Sequence, residues 1–271
     1  MTIIERLQQH KDLQPYKIAL IVDEEQYTYG QLYDAIISME FNNTSRIINL
    51  GQFNDGQKNK VLLIQSLSFV EQLLQWLWGL YKGYIPMVCH NEMDVAYIDE
   101  LAWIISVEGV PTSADFGVLT SGTTGRPKPL WRSESSWREF FDIQNNIFYI
   151  NKDTKIFLHG SFSFTGVSNM VVAVLWSGGT VITTSSLRPI RWIQLIDKYH
   201  VDHIYALPTK LRLLVRHCKS KVDSINYIIG GSQVLDRQLM EQLELICPNM
   251  EFILYYGASE LNYITYCTGK E

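Results

Sequence analysis

The chain has 271 residues, of which 46% are hydrophobic, so it is long and apolar enough to bury a sizeable core. Its net charge of −5 argues against a nucleic-acid-binding protein, which usually carries a basic excess. Four scattered cysteines without a C-x-x-C pair argue against a zinc site. No signal peptide is apparent and the apolar runs are too short to span a bilayer, which together predict a cytoplasmic protein with reduced thiols.

Short β-branched runs alternate with helical patterns along the chain, beginning with a strand over 18–23 and a helix that opens at the Tyr-Gly pair near residue 29. Further strands are predicted over 60–65, 84–88, 155–160, 180–184, 203–207, 225–231, 251–257 and 262–267. The intervening helices are predicted over 68–81, 94–107, 133–148, 165–179, 188–200, 208–219 and 236–246.

Strands and helices that alternate in this way form β-α-β crossovers, so the predicted fold class is α/β with largely parallel sheets flanked by helices. Ligands of such sheets bind beyond the carboxyl ends of the strands. This rule selects three glycine-containing loops, over 120–133, 230–236 and 256–262.

The first loop contains the run TSGTTGRPK, from Thr120 to Lys128. Small residues allow consecutive backbone N–H groups to face an anion, and Lys128 would add a full positive charge. The spacing is not that of a P-loop, because Pro127 stands where that motif has its second glycine. The residues alone therefore leave two alternatives, a phosphate-binding loop and a mobile surface loop.

The other two loops are ambiguous when each is taken alone. Gly230 and Gly231 end a strand and suit either a tight turn or a flat ring lying against bare backbone. The stretch YGASE offers an aromatic face at Tyr256, a hydroxyl at Ser259 and a carboxylate at Glu260. A carboxylate near a phosphate requires Mg²⁺ between them, and the alternative is that Glu260 is ordinary solvated surface.

Taken together, these motifs resemble those of the acyl-adenylate-forming (AMP-binding) superfamily, which includes acyl-CoA synthetases, luciferases and adenylation domains. TSGTTGRPK is similar to the phosphate-loop signature of that superfamily. Gly230–Ser232 resembles the Gly-Gly-Ala step beside adenine, and Tyr256–Glu260 resembles Tyr-Gly-x-Thr-Glu. The segment YALPTKLRLL and the early TYGQLYD are also similar to family segments, and all five occur in the family order.

The resemblance implies attack of a carboxylate on the α-phosphorus of ATP, which yields acyl-AMP and pyrophosphate, followed by transfer of the acyl group to coenzyme A. Lys128, Thr123 and Glu260 would be the catalytic residues, with Glu260 holding Mg²⁺. Tyr256 would stack on adenine and Ser259 would bond the α-phosphate. The implied ATP- and AMP-binding residues are Thr120, Ser121, Gly122, Thr123, Thr124, Gly125, Lys128, Gly230, Gly231, Ser232, Tyr256, Gly257, Ala258 and Ser259.

The resemblance also implies an acyl pocket near residues 160–170. Family members often carry Pro-x-x-His-x-x-Gly there, whereas this chain has Gly160, Ser163 and Gly166 at those positions and lacks the histidine. Pro129 and Glu134 likewise replace the Gly and His that follow the phosphate loop in the family. The apolar lining suits a fatty or aryl acid, with core packing as the alternative. The residues expected to line this pocket are Phe162, Ser163, Phe164 and Val167.

The resemblance covers essentially the whole chain, as an incomplete N-terminal AMP-binding domain with two β/α halves over roughly 1–115 and 116–271. The C-terminal lid domain of the family, with its catalytic lysine, has no counterpart in the sequence. Three functions are therefore open: an acyl-CoA synthetase that needs a complementing C-terminal fragment, a non-catalytic nucleotide-binding module, and an adenylation domain for another acid and carrier. The expected partners are a carboxylic acid, ATP and coenzyme A, without nucleic acid.

Overall fold

The computed structural model describes residues 1–41, 45–50, 60–120, 127–231, 233 and 235–269. The chain forms two compact units. The first comprises Met1–Lys17, Thr28–Phe140 and Gly160–Asn169. The second comprises Ile18–Tyr27, Phe141–His159 and Met170–Glu271.

The helices and strands follow the alternation that the sequence predicts, with several additions. In chain order they are α1 (Ile3–Leu13), β1 (Ile18–Val22), β2 (Glu25–Thr28), α2 (Tyr29–Ser38), β3 (Arg46–Asn49), β4 (Lys60–Ile64), α3 (Phe69–Tyr81), β5 (Ile85–Val88), α4 (Val95–Glu108), β6 (Phe116–Leu119), β7 (Pro129–Arg132), α5 (Ser135–Ile147), β8 (Lys155–Leu158), α6 (Thr165–Ser177), β9 (Thr180–Thr183), α7 (Pro189–Lys198), β10 (His203–Tyr205), α8 (Pro208–His217), β11 (Tyr227–Gly231), α9 (Arg237–Ile246), β12 (Glu251–Ala258) and β13 (Asn262–Thr268).

The first unit contains a mixed five-stranded sheet in the order β3-β4-β5-β6-β7. The central pairs, β4 with β5 and β5 with β6, are parallel, and the two edge strands run antiparallel to their neighbours. Helix α4 packs on this sheet through Ile98, Leu101 and Ile105, which are at most 5% exposed. Phe116 of β6 meets Trp76 of α3 and Trp137 edge-on, and the rings of Trp76 and Trp137 stack on each other.

The second unit contains an eight-stranded sheet in the order β13-β12-β11-β10-β8-β9-β1-β2. Six successive strands, from β12 to β1, pair in parallel, and β13 runs antiparallel at one edge. Helices α7, α8 and α9 cover the sheet through a cluster that includes Trp192, Leu211 and Leu239. The predicted fold class, largely parallel sheets flanked by helices, is confirmed.

The compact units are interleaved in sequence and do not meet at one boundary near residue 115. Strand β1 pairs with β9, from Leu20 with Val181 to Val22 with Thr183, so an N-terminal strand completes the second sheet. Strands β6 and β7 lie beyond residue 115 but extend the first sheet. Sheet pairing, which joins residues far apart in sequence, therefore decides the division.

The sequence did not predict α1, β2, β3 or β7, and β6 was expected only as the strand that precedes the loop at residue 120. Strands β2, β3 and β7 are edge strands of four residues each. A strand that short leaves little hydrophobic pattern to detect in the sequence. Pro129 also argues against a strand, but it is the first residue of edge strand β7, a position that tolerates proline. Helix α1 begins with a capping box, in which Thr2 accepts from the Glu5 N–H and Glu5 accepts from the Thr2 N–H.

Among the described residues, every helix falls short of the length and apolarity that crossing a membrane requires.

Candidate functional site

The ends of the predicted phosphate loop lie at the base of a β-hairpin in the first unit. Strands β6 and β7 pair antiparallel, from Phe116 opposite Arg132 to Leu119 opposite Pro129. Beyond them, the Thr120 N–H donates to the Lys128 carbonyl at 3.0 Å, and the Lys128 N–H donates to Thr120 Oγ1 at 3.4 Å. The loop therefore joins two strands, and does not lead directly into a helix.

The hydrogen bonds at the base of the hairpin leave the Thr120 hydroxyl and the Lys128 ammonium able to contact a ligand. Thr120 Oγ1 accepts one hydrogen bond, which leaves its O–H able to donate to a ligand. The Lys128 side chain is exposed. Ser121, Gly122, Thr123, Thr124 and Gly125, which the sequence assigns to phosphate binding, lie outside the described residues.

Two contacts that the sequence did not reveal fix the segment from Pro127 to Glu134 against helices α4 and α1. The Tyr97 hydroxyl, on α4, donates to the carbonyl of Pro127, next to Lys128. Glu134 Oε2 accepts from the Ile3 N–H at 2.7 Å and so binds the start of α1. The departure from the family pattern at Glu134 thus has a structural role in this chain.

In the second unit, parallel pairing brings the two other predicted motifs together. Strands β11 and β12 are neighbours, with Gly230 opposite Leu254 and Gly231 opposite Tyr255. The Gly230–Gly231 step and the start of the YGASE stretch therefore leave the same edge of the sheet. Ser232 lies outside the described residues.

The two glycines of β11 are required by side chains of this protein. A Cβ on Gly231 would lie 2.6 Å from the Tyr255 ring, and a Cβ on Gly230 would lie 2.7 Å from the Phe252 ring. The Tyr255 hydroxyl in turn bonds that of Tyr205 at 2.8 Å, and burial raises the pKa of both phenols. In this structure the flat ring of Tyr255 lies against Gly231, and the adenine contact implied for Gly230 and Gly231 stays a prediction.

The YGASE stretch spans the end of β12 and the turn into β13. The strand register shifts between Tyr256 and Gly257, an irregularity of the kind that redirects side chains near active sites. The Tyr256 side chain is 64% exposed, which leaves its aromatic face accessible. Glu260 is exposed in the turn, which the Leu261 N–H closes by donating to the Ala258 carbonyl at 3.1 Å.

A carboxylate so placed fits a magnesium ion that is held mainly by substrate. Mg²⁺ in nucleotide sites usually takes one or two protein carboxylates, together with phosphate oxygens and water. The described residues contain no group of three or more His, Cys, Asp or Glu side chains suited to a metal. A single exposed carboxylate such as Glu260 suits a site in which phosphates supply most of the ligands.

The residues assigned to the acyl pocket differ in exposure. Phe162 is 1% exposed, and its ring meets those of Phe69 and Trp76 edge-on, with centroids 6.0 and 5.6 Å away. Val167 is also buried. Phe164 is 48% exposed. Phe162 thus packs in the core of the first unit, whereas Phe164 keeps an exposed face, and the assignment of the four side chains to an acyl pocket stays a prediction.

An imidazole lies beside the position where the family pattern has its histidine. His90 Nδ1 is 2.9 Å from Ser163 Oγ, and the His90 ring stacks on Phe164 with centroids 4.9 Å apart. Burial lowers the pKa of His90, although Glu92 opposes this shift. His90 was not among the residues selected from the sequence. Its position just after buried strand β5 is the signal that could have indicated it.

The neighbouring serine and glutamine side chains extend this contact into a polar network. Ser163 Oγ is 2.9 Å from Ser161 Oγ, which donates to Gln72 Oε1 at 3.0 Å. The same Gln72 oxygen accepts from the Phe162 N–H at 3.0 Å. These bonds tie the loop that precedes α6 to α3 within the first unit.

Comparisons with known proteins agree with the motifs. A family model described as AMP-binding enzyme matches residues 108–271. VraA of Staphylococcus epidermidis, named as a candidate long chain fatty acid-CoA ligase, is 25% identical over 281 residues, which cover 97% of this chain and 60% of VraA. The chain thus spans about three fifths of the length of this relative.

Solved structures of such enzymes share the fold. O-succinylbenzoate coenzyme A synthetase (MenE) from Bacillus subtilis, in complex with ATP and magnesium, superposes with a TM-score of 0.78 at 15% identity, over 98% of this chain and 62% of MenE. A luciferase-like enzyme from the mealworm Zophobas morio gives a TM-score of 0.76 at 13% identity, over 98% of this chain and 74% of that enzyme. The fold is that of the N-terminal part of the adenylate-forming enzymes. Because the family model matches more than half of its residues, this chain belongs to the family of AMP-binding enzymes.

Proposed function

We propose that the protein activates a carboxylic acid as acyl-AMP at the expense of ATP, with a fatty or aryl acid as substrate and coenzyme A as the acyl acceptor. The observation that carries the proposal is the parallel pairing of β11 and β12, which places Gly230 and Gly231 beside the start of the YGASE stretch at one sheet edge. Membership of the AMP-binding family and the ligase names of the relatives support it.

Each side chain has a defined task in this proposal. Exposed Tyr256 stacks on adenine, and the Ser259 hydroxyl donates to the α-phosphate. Glu260 contributes one carboxylate to Mg²⁺, which offsets phosphate charge when it is bound. In the first unit, Lys128 and the Thr120 hydroxyl hold the β- and γ-phosphates. Positioning and charge neutralisation of this kind supply most of the catalysis in reactions at phosphorus.

The acyl subsite in this proposal is formed by the exposed part of the predicted pocket. Phe164 offers an accessible aromatic face, and His90 fixes that ring by stacking. An apolar face of this kind suits an aliphatic chain or an aryl ring better than an amino acid. A cytoplasmic location, the acceptor thiol and a complementing C-terminal fragment stay predictions.

The proposed reaction is tested by trapping acyl-AMP with hydroxylamine. The protein, at the length at which it occurs in its source cells, is incubated with MgATP and a panel of fatty and aryl acids. We expect an acyl hydroxamate together with pyrophosphate for at least one acid. Binding of MgATP without any hydroxamate would instead identify a non-catalytic nucleotide-binding module, and transfer of the γ-phosphate would identify a different reaction.

The role of Glu260 is tested by Glu260→Gln, which keeps the shape of the side chain and removes its charge. We expect MgATP affinity to fall about tenfold or more, because a charged ligand to the metal is lost, while ATP affinity in EDTA stays unchanged. Calorimetric titration measures both. Glu244→Gln, at an exposed position of α9, is the matched control. An unaltered MgATP titration in Glu260→Gln would remove Glu260 from the metal site.

A further inference from the structure

Lys210 is a half-buried cation at the carboxyl-end edge of the second sheet. It lies in the first turn of α8, which begins at Pro208, three residues beyond the end of β10. Its Nζ donates to the carbonyl oxygen of His159, the residue that follows β8. Strands β8 and β10 are parallel neighbours, so Lys210 bridges the connections that leave two adjacent strand ends.

The charge of Lys210 is not balanced by the part of the second unit that the structure describes. No carboxylate among the described residues forms an ion pair with it, and burial is what lowers its pKa. An ammonium has three donors, of which the His159 carbonyl takes one. Two donors and a full charge are therefore left for another group.

The local electrostatics make this charge costly. The first turn of α8 holds no acidic residue, and Leu207 provides no side-chain cap. The positive end of a helix disfavours a nearby cation. Because its folded-state pKa is below its unfolded value, charged Lys210 lowers stability at neutral pH, and deprotonation at higher pH would relieve this cost. Such a side chain is not there for the stability of the fold.

The neighbouring imidazole does not compete with Lys210 for an anion. His159 packs on Trp192 with ring centroids 4.5 Å apart. Burial, and then the charge of Lys210, lower the pKa of His159 to about 4, so the ring is neutral at pH 7. Its buried Nδ1 has no hydrogen-bond partner among the described residues. Lys210 is thus the charged member of this pair. His159 Nδ1, which lies beside it, can still form a hydrogen bond.

We propose that Lys210 binds an oxyanion of the ligand, a carboxylate or a phosphate group, at the carboxyl ends of β8 and β10. Ligands of open α/β sheets bind at this edge, and a desolvated lysine without a counter-charge is the group that an oxyanion satisfies best. The identity of the ligand rests on the proposed function, whose substrates contain both kinds of anion: the acid has a carboxylate and ATP has phosphate groups. It gives a role to Lys210, which lies in the family-like segment YALPTKLRLL but belongs to none of the sets of binding residues assigned from the sequence.

The proposal is tested with Lys210→Met, which keeps the length of the side chain and removes its charge. Lys155→Met is the matched control, because Lys155 Nζ also donates to a backbone carbonyl, that of Tyr199, at 3.3 Å, but is exposed at the opposite end of β8. Calorimetric titrations of both variants and the unaltered protein use sodium octanoate, inorganic phosphate, AMP and adenosine.

We expect Lys210→Met to bind at least one anionic probe about 10- to 100-fold more weakly, as expected for loss of a charged hydrogen bond. A fall in octanoate affinity identifies a carboxylate, whereas a fall in AMP affinity without a fall for adenosine identifies a phosphate. The ligand-free variant should also melt roughly 2–4 °C higher, because the unbalanced charge is gone. Unchanged affinity for every anion, or no binding of any anion by the unaltered protein, overturns the proposal.

The outcomes separate this inference from the proposed function. If Lys210→Met forms acyl hydroxamate from MgATP and acid at the unaltered rate and KM, the inference fails and the function stands. If the protein binds octanoate or phosphate through Lys210 but yields no hydroxamate with any acid, the inference stands and the function fails.

Discussion

Phe162→Ala is expected to lower the free energy of unfolding by about 3–5 kcal/mol, the range found when a buried phenylalanine is truncated. The side chain is 1% exposed and packs against the rings of Phe69 and Trp76. Its loss removes buried apolar surface and leaves a cavity that rigid aromatic neighbours fill poorly. Urea unfolding followed by tryptophan fluorescence measures the change.

Phe164→Ala is the matched control, two residues away and 48% exposed. Among the described residues, its ring stacks on His90 alone, so we expect a loss below about 1.5 kcal/mol, the upper range for one aromatic pair. If instead Phe162→Ala left stability unchanged and altered which acids are activated, Phe162 would line the acyl pocket after all. The pair of variants therefore separates core packing from substrate binding within one loop.

Lys128→Ala is expected to slow acyl-AMP formation about 100- to 1,000-fold, the effect of removing one preorganised group that stabilises transition-state charge. The backbone N–H and carbonyl of residue 128 close the hairpin with Thr120, and alanine keeps both bonds. The substitution thus removes the ammonium and leaves the base of the loop. The rate of hydroxamate formation at saturating and at low MgATP measures kcat and kcat/KM.

Lys82→Ala, at an exposed lysine after α3 in the same unit, is the control and should stay within about twofold of the unaltered rate. A Lys128→Ala variant that forms hydroxamate at a similar rate would show that the loop holds phosphate through its backbone alone. Unfolding curves of both variants should coincide with that of the unaltered protein, since both side chains are exposed.

Local signals in the sequence were enough to determine the fold class. Amphipathic runs such as α3 and α9, and buried β-branched runs such as β4 and β11, carry their own periodicity, so their type does not depend on distant partners. The alternation of these elements then requires parallel sheets. The motifs TSGTTGRPK and YGASE are likewise contiguous, which is why the family could be recognised before any contact was known.

The tertiary structure alone decided which side chains are available for chemistry. Phe162 and Phe164 are the same residue type two positions apart, yet Phe162 lies in an aromatic core and Phe164 lies at the surface. Gly231 makes room for Tyr255, a residue of the next strand in the sheet. His90 meets Ser163 across 73 positions, and Lys210 meets His159 across 51. Exposure, close packing and charge balance depend on residues distant in sequence, so no local pattern could report them.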